Sequence, residues 1–289
     1  MKTIKRNDKN DDVKYLQQLL QLKPDGVFGP ITELVVKEFQ QQHNLTPDGI
    51  VGPKTWQVLI NESKKEKTKI HVILDYGHGA ATNGKKSPLY KTLPVDEQNY
   101  FKQYQQFGTD RFYEYLFNRV TGRKIADTLR SMNITVHEII SKNEDKVDIS
   151  LSERVRRTNS ICNKYGAGNC LFISIHSNAA GNGTKWMQGR GWSAYTTKGK
   201  TKSDEFATIL YKYADKYFKR DNQKIRKDMS DNDPDQESNF TVIYGAKCPS
   251  VLTESFFYDN INDLKYLVSK QGQQAIVNTH VDAICEYIK

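Results

Sequence analysis

The chain has 289 residues, of which 37% are hydrophobic and 11% are aromatic. This composition excludes a largely disordered chain, and the length favours one large domain with a second, smaller one. The formal net charge is +9, from 43 basic and 34 acidic side chains. A basic surface favours anionic partners without choosing among them. No apolar run reaches the ~18–20 residues that span a bilayer, so we expect neither a signal peptide nor membrane insertion.

An internal repeat marks residues 1–61. Residues 24–32 (PDGVFGPIT) recur at residues 47–55 (PDGIVGPKT), an offset of 23 residues. Each copy predicts a turn followed by a helix with proline in its first turn. Three short helices are therefore expected. Their predicted apolar faces are Val13, Leu16, Leu19 and Leu20; Leu34, Val35 and Phe39; and Trp56 and Leu59.

This turn repeat resembles the type 1 peptidoglycan-binding domain, whose mark is D-G-x-x-G-P-x-T before a helix. The resemblance implies attachment to bacterial cell-wall glycopeptide, and a purely structural helical module is the alternative. The charged run that follows, ESKKEKTK, predicts a solvated linker over 62–69. The expected domains are thus 1–61, the linker 62–69 and a larger domain over 70–289.

From residue 70 the pattern alternates between strand and helix, which is typical of an α/β domain with a mostly parallel, twisted sheet flanked by helices. The predicted strands are 70–75, 134–140, 170–176, 191–196 and 250–256. The predicted helices are 111–131, 150–165, 203–218 and 262–287. Cysteines occur at 162, 170, 248 and 285 without any C-x-x-C pair, so free buried thiols are expected.

Two of the predicted strands end in histidines. Residues 171–178 read LFISIHSN and end around His176, and residues 70–79 read IHVILDYGHG and end around His78. Ligands in open α/β sheets lie beyond the carboxyl ends of the strands. Zinc binds imidazole nitrogen and carboxylate oxygen through three or four ligands, so a carboxylate should lie nearby. Taken alone, a histidine at the end of one such strand is more readily interpreted as a hydrogen-bonded core residue, and the second strand end changes that balance.

Residues 80–110 show no clean period and carry several aromatic side chains among lysines and glutamines. Such an irregular segment in a compact domain is usually functional or mobile. Because it follows His78 directly, it could form a lid or a wall for the substrate. A surface insertion that packs on its own aromatics is the equal alternative.

Several motifs together resemble the zinc-dependent N-acetylmuramoyl-L-alanine amidases of the type 3 family. They are G-H-G at 77–79, E-x-x-x-N at 114–118, S-L-x-x-R at 150–154, F-I-S-I-H-S-N at 172–178 and T-E-S-F-F at 253–257. The resemblance implies Zn²⁺ ligands His78, Glu114 and His176, and a catalytic glutamate at Glu254. The gap between the first two ligands is longer than is usual in the family. Glu97 and, less so, Asp96 are therefore rival third ligands.

Glu254 lies near the end of a predicted strand among apolar neighbours. A carboxylate there is costly to bury unless it is paired or functional, and burial would raise its pKa to a value that suits a general base. The alternative is an ion pair with Arg154 or Arg190. Asn178 and Asn118 are candidates for supporting the site or contacting substrate. Arg190, at the end of the glycine-rich loop 181–191, is a candidate contact for glycan or peptide, and an ordinary connection is the equal alternative for this loop.

The resemblance implies a peptidoglycan hydrolase that cleaves the bond between the lactyl group and L-alanine of the stem peptide. Rival interpretations are a zinc peptidase acting within the stem peptide, a wall-binding protein with an inactive enzyme domain, and a nucleic-acid binder. We expect no nucleic acid as partner, because no recognised motif for it is present. With Met1 and no export signal, a phage endolysin acting as a monomer on the bacterial wall is the favoured setting.

Overall fold

The computed structural model describes residues 1–82 and 84–289, except for the side chains of residues 64–68. The chain forms two compact units, Met1–Lys69 and Ile70–Lys289. The four cysteines are free; those at 162, 170 and 248 are buried as predicted, whereas Cys285 is only partly buried. No helix among the described residues has the length and apolar character needed to cross a membrane.

The first unit contains three helices, α1 (Asp11–Leu19), α2 (Pro30–Gln42) and α3 (Pro53–Thr68). Their shared core is formed by Ile4, Val13, Leu16, Phe28, Val36, Val51, Trp56 and Leu59. The predicted face of α2 is wrong at Leu34, whose side chain is 58% exposed. The face that α2 buries instead carries Thr32, Val36 and Gln40, spaced by one turn each.

Two buried glutamines explain that face. Gln40 Nε2 donates to Asp48 Oδ1 (2.9 Å) and to the Ile50 carbonyl (2.9 Å), while its Oε1 accepts from the Gly49 amide (2.9 Å). Gln17 makes the equivalent bonds to the first turn, 23 residues earlier. Gly49 has φ +76°, a conformation that favours glycine. Each repeated turn is therefore fastened to the preceding helix by one fully satisfied amide side chain.

The stretch predicted as a linker is helical, because α3 continues to Thr68. Glutamate and lysine have high helix propensity, which accounts for the continuation of the helix through this charged run. The side chains of residues 64–68, on which the prediction of a solvated segment depends, lie outside the described part of the chain.

The second unit has a six-stranded sheet in the order β2-β1-β3-β6-β4-β5. The strands are β1 (His71–Tyr76), β2 (Thr135–Glu138), β3 (Cys170–Asn178), β4 (Ser193–Thr196), β5 (Gln236–Glu237) and β6 (Ser250–Phe257). The four strands from β2 to β6 pair in parallel, and β4 is antiparallel to β6. The prediction of a mostly parallel sheet is confirmed. β1 is buried at every position, as its unbroken apolar run predicts.

Helices flank this sheet. They are α4 (Val95–Phe101), α5 (Glu114–Ser131), α6 (Leu151–Tyr165), α7 (Lys202–Phe218), α8 (Thr241–Tyr244), α9 (Ile261–Val268) and α10 (Lys270–Tyr287). The single helix predicted over 262–287 is wrong, because the chain breaks at Ser269. Ser269 is extended and caps α10 by accepting from the Gly272 amide. A Cβ at Gly272 would lie 1.9 Å from the Tyr266 carbonyl oxygen, so the sharp turn requires glycine.

The irregular segment over 80–110 packs against the sheet domain. Tyr90 stacks on Phe101 with ring centroids 4.9 Å apart, and both rings belong to the main hydrophobic core. The Trp186 indole donates to Thr92 Oγ1 at 3.0 Å. Residues 90–107 therefore match the alternative of an insertion packed on its own aromatics. The preceding residues, which follow His78, border the site described next.

Candidate active site

Three side chains from three elements meet at the carboxyl end of the sheet. His78 follows β1, His176 lies in β3 and Glu114 is the first residue of α5. Glu114 Oε1 lies 3.1 Å from His176 Nδ1 and 3.5 Å from His78 Nε2. One possible ligand atom from each residue lies within 4.8 Å of the others. Among the described residues, this is the only such group of three metal-ligating side chains.

Close packing at Gly77 brings the two histidines together. A Cβ on Gly77 would lie 2.1 Å from His176 Cε1, so only glycine allows the imidazole to approach the chain before His78. His78 itself has φ +62°, a left-handed conformation that is uncommon outside glycine. Such backbone strain persists where the surroundings fix it.

Two buried arginines fix this strained turn. Arg119 donates to the carbonyls of Tyr76 (2.5 Å) and His78 (2.5 Å). Arg154 donates to the same carbonyls at 2.9 and 3.3 Å, and also to Asp75 Oδ1 at 2.5 Å. Both arginine residues are 2% exposed. The turn that carries His78 is therefore held by charged donors from α5 and α6.

Glu114 is ionised in these surroundings. Burial alone would raise the pKa of its carboxyl, but the His176 hydrogen bond and the nearby His78 outweigh burial and lower the pKa to about 2. Burial lowers the pKa of His78 to about 4, which leaves its imidazole neutral at neutral pH. A neutral imidazole and a carboxylate are the forms in which these side chains bind metals.

The second oxygen of Glu114 is a buried acceptor that a cation would satisfy. Glu114 Oε2 is buried and has no hydrogen-bond partner among the described residues. Asn118, one turn along α5, is fully buried and donates to Glu114 Oε1 (3.4 Å) and to the Gly77 carbonyl (3.1 Å). An unpaired buried carboxylate oxygen is costly unless it is satisfied. Two imidazoles and this carboxylate fit a cation.

Glu254 lies beside His176, because these two residues are paired in register between β3 and β6. Burial raises the pKa of Glu254 to about 7; the Glu114 charge adds to this effect and the His176 ring opposes it. Glu254 Oε2 is buried without a hydrogen-bond partner, and Glu254 has no ion pair with a described residue. The alternative pairing is not observed, since Arg154 binds Asp75 and Arg190 binds Asp263.

A cavity of about 340 Å³ opens onto these groups. Its polar wall includes His78, His176 and Glu254, and Lys85 contributes a cation. Its apolar wall is formed by Leu151, Phe240, Val242 and Leu252. The cavity can therefore accept a ligand with both polar and apolar parts next to a carboxylate that exchanges protons near neutral pH.

Most of the other predicted site residues lie away from the group formed by His78, Glu114 and His176. Glu97 lies on α4 and accepts from Lys265 Nζ at 2.7 Å, so it does not join the two histidines. Asp96 is exposed. Arg190 donates to Asp263 at 3.0 Å and does not line the cavity. Asn178 ends β3 and accepts from the Ala179 amide at 2.8 Å. Of the two predicted asparagines, only Asn118 contacts the histidine–glutamate group.

Sequence reasoning missed Arg119 and Lys85. Arg119 follows Asn118 directly on α5, and only the turn at His78 shows what it binds. Lys85 belongs to the segment without periodicity. Only the folded structure places it beside the site, where the Glu114 amide donates to the Lys85 carbonyl at 3.1 Å.

Comparison with known proteins identifies the family of each unit. The family model described as N-acetylmuramoyl-L-alanine amidase matches residues 72–286, and a peptidoglycan-binding domain model matches residues 9–59. A curated relative, the N-acetylmuramoyl-L-alanine amidase CwlM of Bacillus licheniformis, is 28% identical over 154 residues. That match covers 53% of this chain, and the chain spans about half (50%) of the length of this relative.

Solved structures share the fold. An N-acetylmuramoyl-L-alanine amidase from Clostridium difficile 630 is 22% identical, with a TM-score of 0.57 over 76% of this chain and 97% of the other. The catalytic domain of CwlV from Bacillus (Paenibacillus) polymyxa is also 22% identical, with a TM-score of 0.53 over 75% of this chain and 97% of the other. With the family model matching most of its length, the chain belongs to the N-acetylmuramoyl-L-alanine amidase family, whose members are generally metal-dependent.

Proposed function

We propose that this chain is a zinc-dependent amidase that cleaves the bond between the lactyl group of N-acetylmuramic acid and L-alanine of the stem peptide. The observation that carries the proposal is the cluster of His78, Glu114 and His176 beside a cavity that Glu254 also lines, in a chain of this family. The activity rests on chemistry that these four side chains can perform together.

His78, Glu114 and His176 would hold the metal. Two imidazoles and one carboxylate form a set of three protein ligands that suits catalytic zinc, and Glu114 Oε2 is a buried acceptor in need of a partner. Bound zinc supplies a Lewis acid and lowers the pKa of a coordinated water to about 7. Asn118 orients the Glu114 carboxylate, and the two arginines fix the turn of His78.

Glu254 would move the proton. Its pKa of about 7 lets it accept a proton from the attacking water and return that proton to the departing alanine nitrogen at neutral pH. The Glu254 carboxylate has no hydrogen bond or ion pair with a described residue, so no other side chain competes for this proton. The products are the glycan with a free lactyl carboxylate and a stem peptide with a free N-terminal alanine.

The small unit would attach the enzyme to its polymeric substrate. Two observations support this attachment role. Residues 9–59 match a peptidoglycan-binding family, and Gln17 and Gln40 fasten the two repeated turns. A role in phage-encoded lysis and a monomeric state stay predictions.

The new chain ends test the reaction. Purified peptidoglycan is digested with the full chain, and the new ends are identified by N-terminal labelling and mass spectrometry. New N-terminal alanine supports the amidase. Other new amines would mean a peptidase acting within the stem, and no new ends in the presence of zinc would favour an inactive wall-binding protein.

A further inference from the structure

We propose that Lys85 binds a free carboxylate of the stem peptide, and so makes the enzyme selective for an acidic residue after the L-alanine. This inference rests on the amidase function proposed above and specifies its substrate. The residue concerned is a glutamate joined to the chain through its side-chain carboxyl group, which leaves its α-carboxyl group either free or converted to a carboxamide.

The backbone of Lys85 is fixed to the metal-ligating helix. The Glu114 amide donates to the Lys85 carbonyl at 3.1 Å, and Lys86 forms a β-bridge with Tyr113. The next residue, Ser87, donates its amide to the Phe112 carbonyl at 2.9 Å and accepts from the Phe112 amide at 3.0 Å. Lys85 therefore starts from a defined point beside Glu114.

The Lys85 ammonium is available to a ligand. It lines the same cavity as His78, His176 and Glu254, and the residue is exposed. Within residues 1–82 and 84–289, no hydrogen bond or ion pair occupies its Nζ. Arg154, the other cation of the cavity wall, is 2% exposed and bound to Asp75. Lys85 is thus the cation of this wall that can bind an incoming anion.

The position of the charge suits the chain beyond the bond that is cut. An extended peptide advances about 3.5 Å per residue, so the residue after the alanine lies within roughly 7 Å of the scissile amide nitrogen. That distance is within reach of a lysine on the wall of this cavity. An ammonium binds a carboxylate but gains little from a neutral carboxamide of the same size, so one group on the substrate decides the preference.

Two soluble probes isolate this group. Both probes continue through the glutamate side-chain carboxyl to a lysinamide, so that this carboxyl is blocked: N-acetylmuramoyl-L-alanyl-D-γ-glutamyl-L-lysinamide carries the free α-carboxylate, and N-acetylmuramoyl-L-alanyl-D-isoglutaminyl-L-lysinamide carries the carboxamide in its place. Release of alanine-terminated peptide from each probe gives kcat and KM. The proteins are the wild type, Lys85→Met, Lys85→Arg and the neighbouring control Lys86→Met, all with zinc present.

We expect the wild type to favour the acid over the amide by about tenfold in kcat/KM, mainly through KM. Lys85→Met should bring this ratio close to one, Lys85→Arg should retain most of it, and Lys86→Met should leave it unchanged. Equal cleavage of both probes by the wild type would overturn this inference alone, as would an unchanged ratio in Lys85→Met. Cleavage of neither probe by the wild type would instead overturn the proposed amidase function.

Discussion

At the scale of single residues, Glu114 connects the parts of the site. Its Oε1 accepts from Asn118 and from the Ser177 amide (3.3 Å), and it lies next to both histidines. A glutamate in the first turn of a helix is ordinarily a solvated group that interacts with the helix dipole. Here the residue is fully buried, and its surroundings lower the pKa to about 2.

The metal-ligand assignment predicts the effect of two glutamate substitutions. Glu114→Ala removes one of three ligands, so we expect zinc to be lost from the purified protein. Glu97→Ala breaks only the ion pair with Lys265 and should leave about one zinc per chain. Metal analysis of both variants and the wild type decides the question. Zinc loss in Glu97→Ala with retention in Glu114→Ala would refute the assignment.

The close packing at Gly77 predicts that a substitution there weakens zinc binding. In Gly77→Ala the new methyl group would meet the His176 ring at 2.1 Å, so the ring must move away from Glu114. We expect zinc affinity to fall at least tenfold. The matched control is Gly168→Ala, where a Cβ meets nothing within 4 Å. A competition titration with a chelator measures both, and equal affinities in the two variants would contradict the packing argument.

At the scale of elements, apolar runs predicted β1 and β3, because strands buried on both faces are rich in apolar side chains. The placement of His78 and His176 at strand ends followed from the same runs. The break at Ser269 was not predictable from periodicity, since both helices continue one apolar pattern across it. Nor was the exposure of Leu34, because buried Gln40 satisfies its amide through a turn ten residues away.

The helix α10 contributes a pH dependence of stability. His280 is fully buried, with Nδ1 donating to the Ile276 carbonyl (2.8 Å) and Nε2 next to Thr253 Oγ1 (2.9 Å). Burial lowers the pKa of His280 to about 4, whereas the unfolded chain titrates near 6.5. The unfolded state therefore binds more protons between these values, and stability falls as the pH drops from 6.5 towards 4.

We expect His280 to lower the free energy of unfolding by about 2 kcal/mol at pH 5 relative to pH 7. Pulse proteolysis of the full chain in urea, with a chelator present so that metal release does not contribute, measures the larger unit at both pH values. His280→Gln should reduce the difference by roughly this amount. The control His43→Gln, in the other unit, should not change it. An equal pH dependence in wild type and His280→Gln would exclude this source.

At the scale of the whole molecule, the chain consists of two compact units with their own cores. All proposed chemistry lies in Ile70–Lys289. Because α3 runs to Thr68, the dividing point for fragments is after Lys69 and not at the predicted residue 61.

Removal of residues 1–69 should preserve zinc content and cleavage of a soluble muropeptide. Activity on intact walls should fall severalfold, because a tethered binding unit raises the local concentration of the enzyme at its polymer. A pull-down of both fragments with purified peptidoglycan, together with turnover on both substrates, checks this. If the 1–69 fragment stays in solution while 70–289 carries all the binding, the small unit is merely structural.

The most direct test of the account uses Glu254→Gln, which keeps the size of the side chain but cannot accept a proton. Zinc content and the rate of new N-terminal alanine release from peptidoglycan are measured together for this variant, the wild type and the control Glu97→Gln. We predict about one zinc per chain in all three, with turnover of Glu254→Gln lower by roughly 10²–10⁴-fold, the usual contribution of a general acid–base. Near-normal alanine release by zinc-loaded Glu254→Gln would contradict the account.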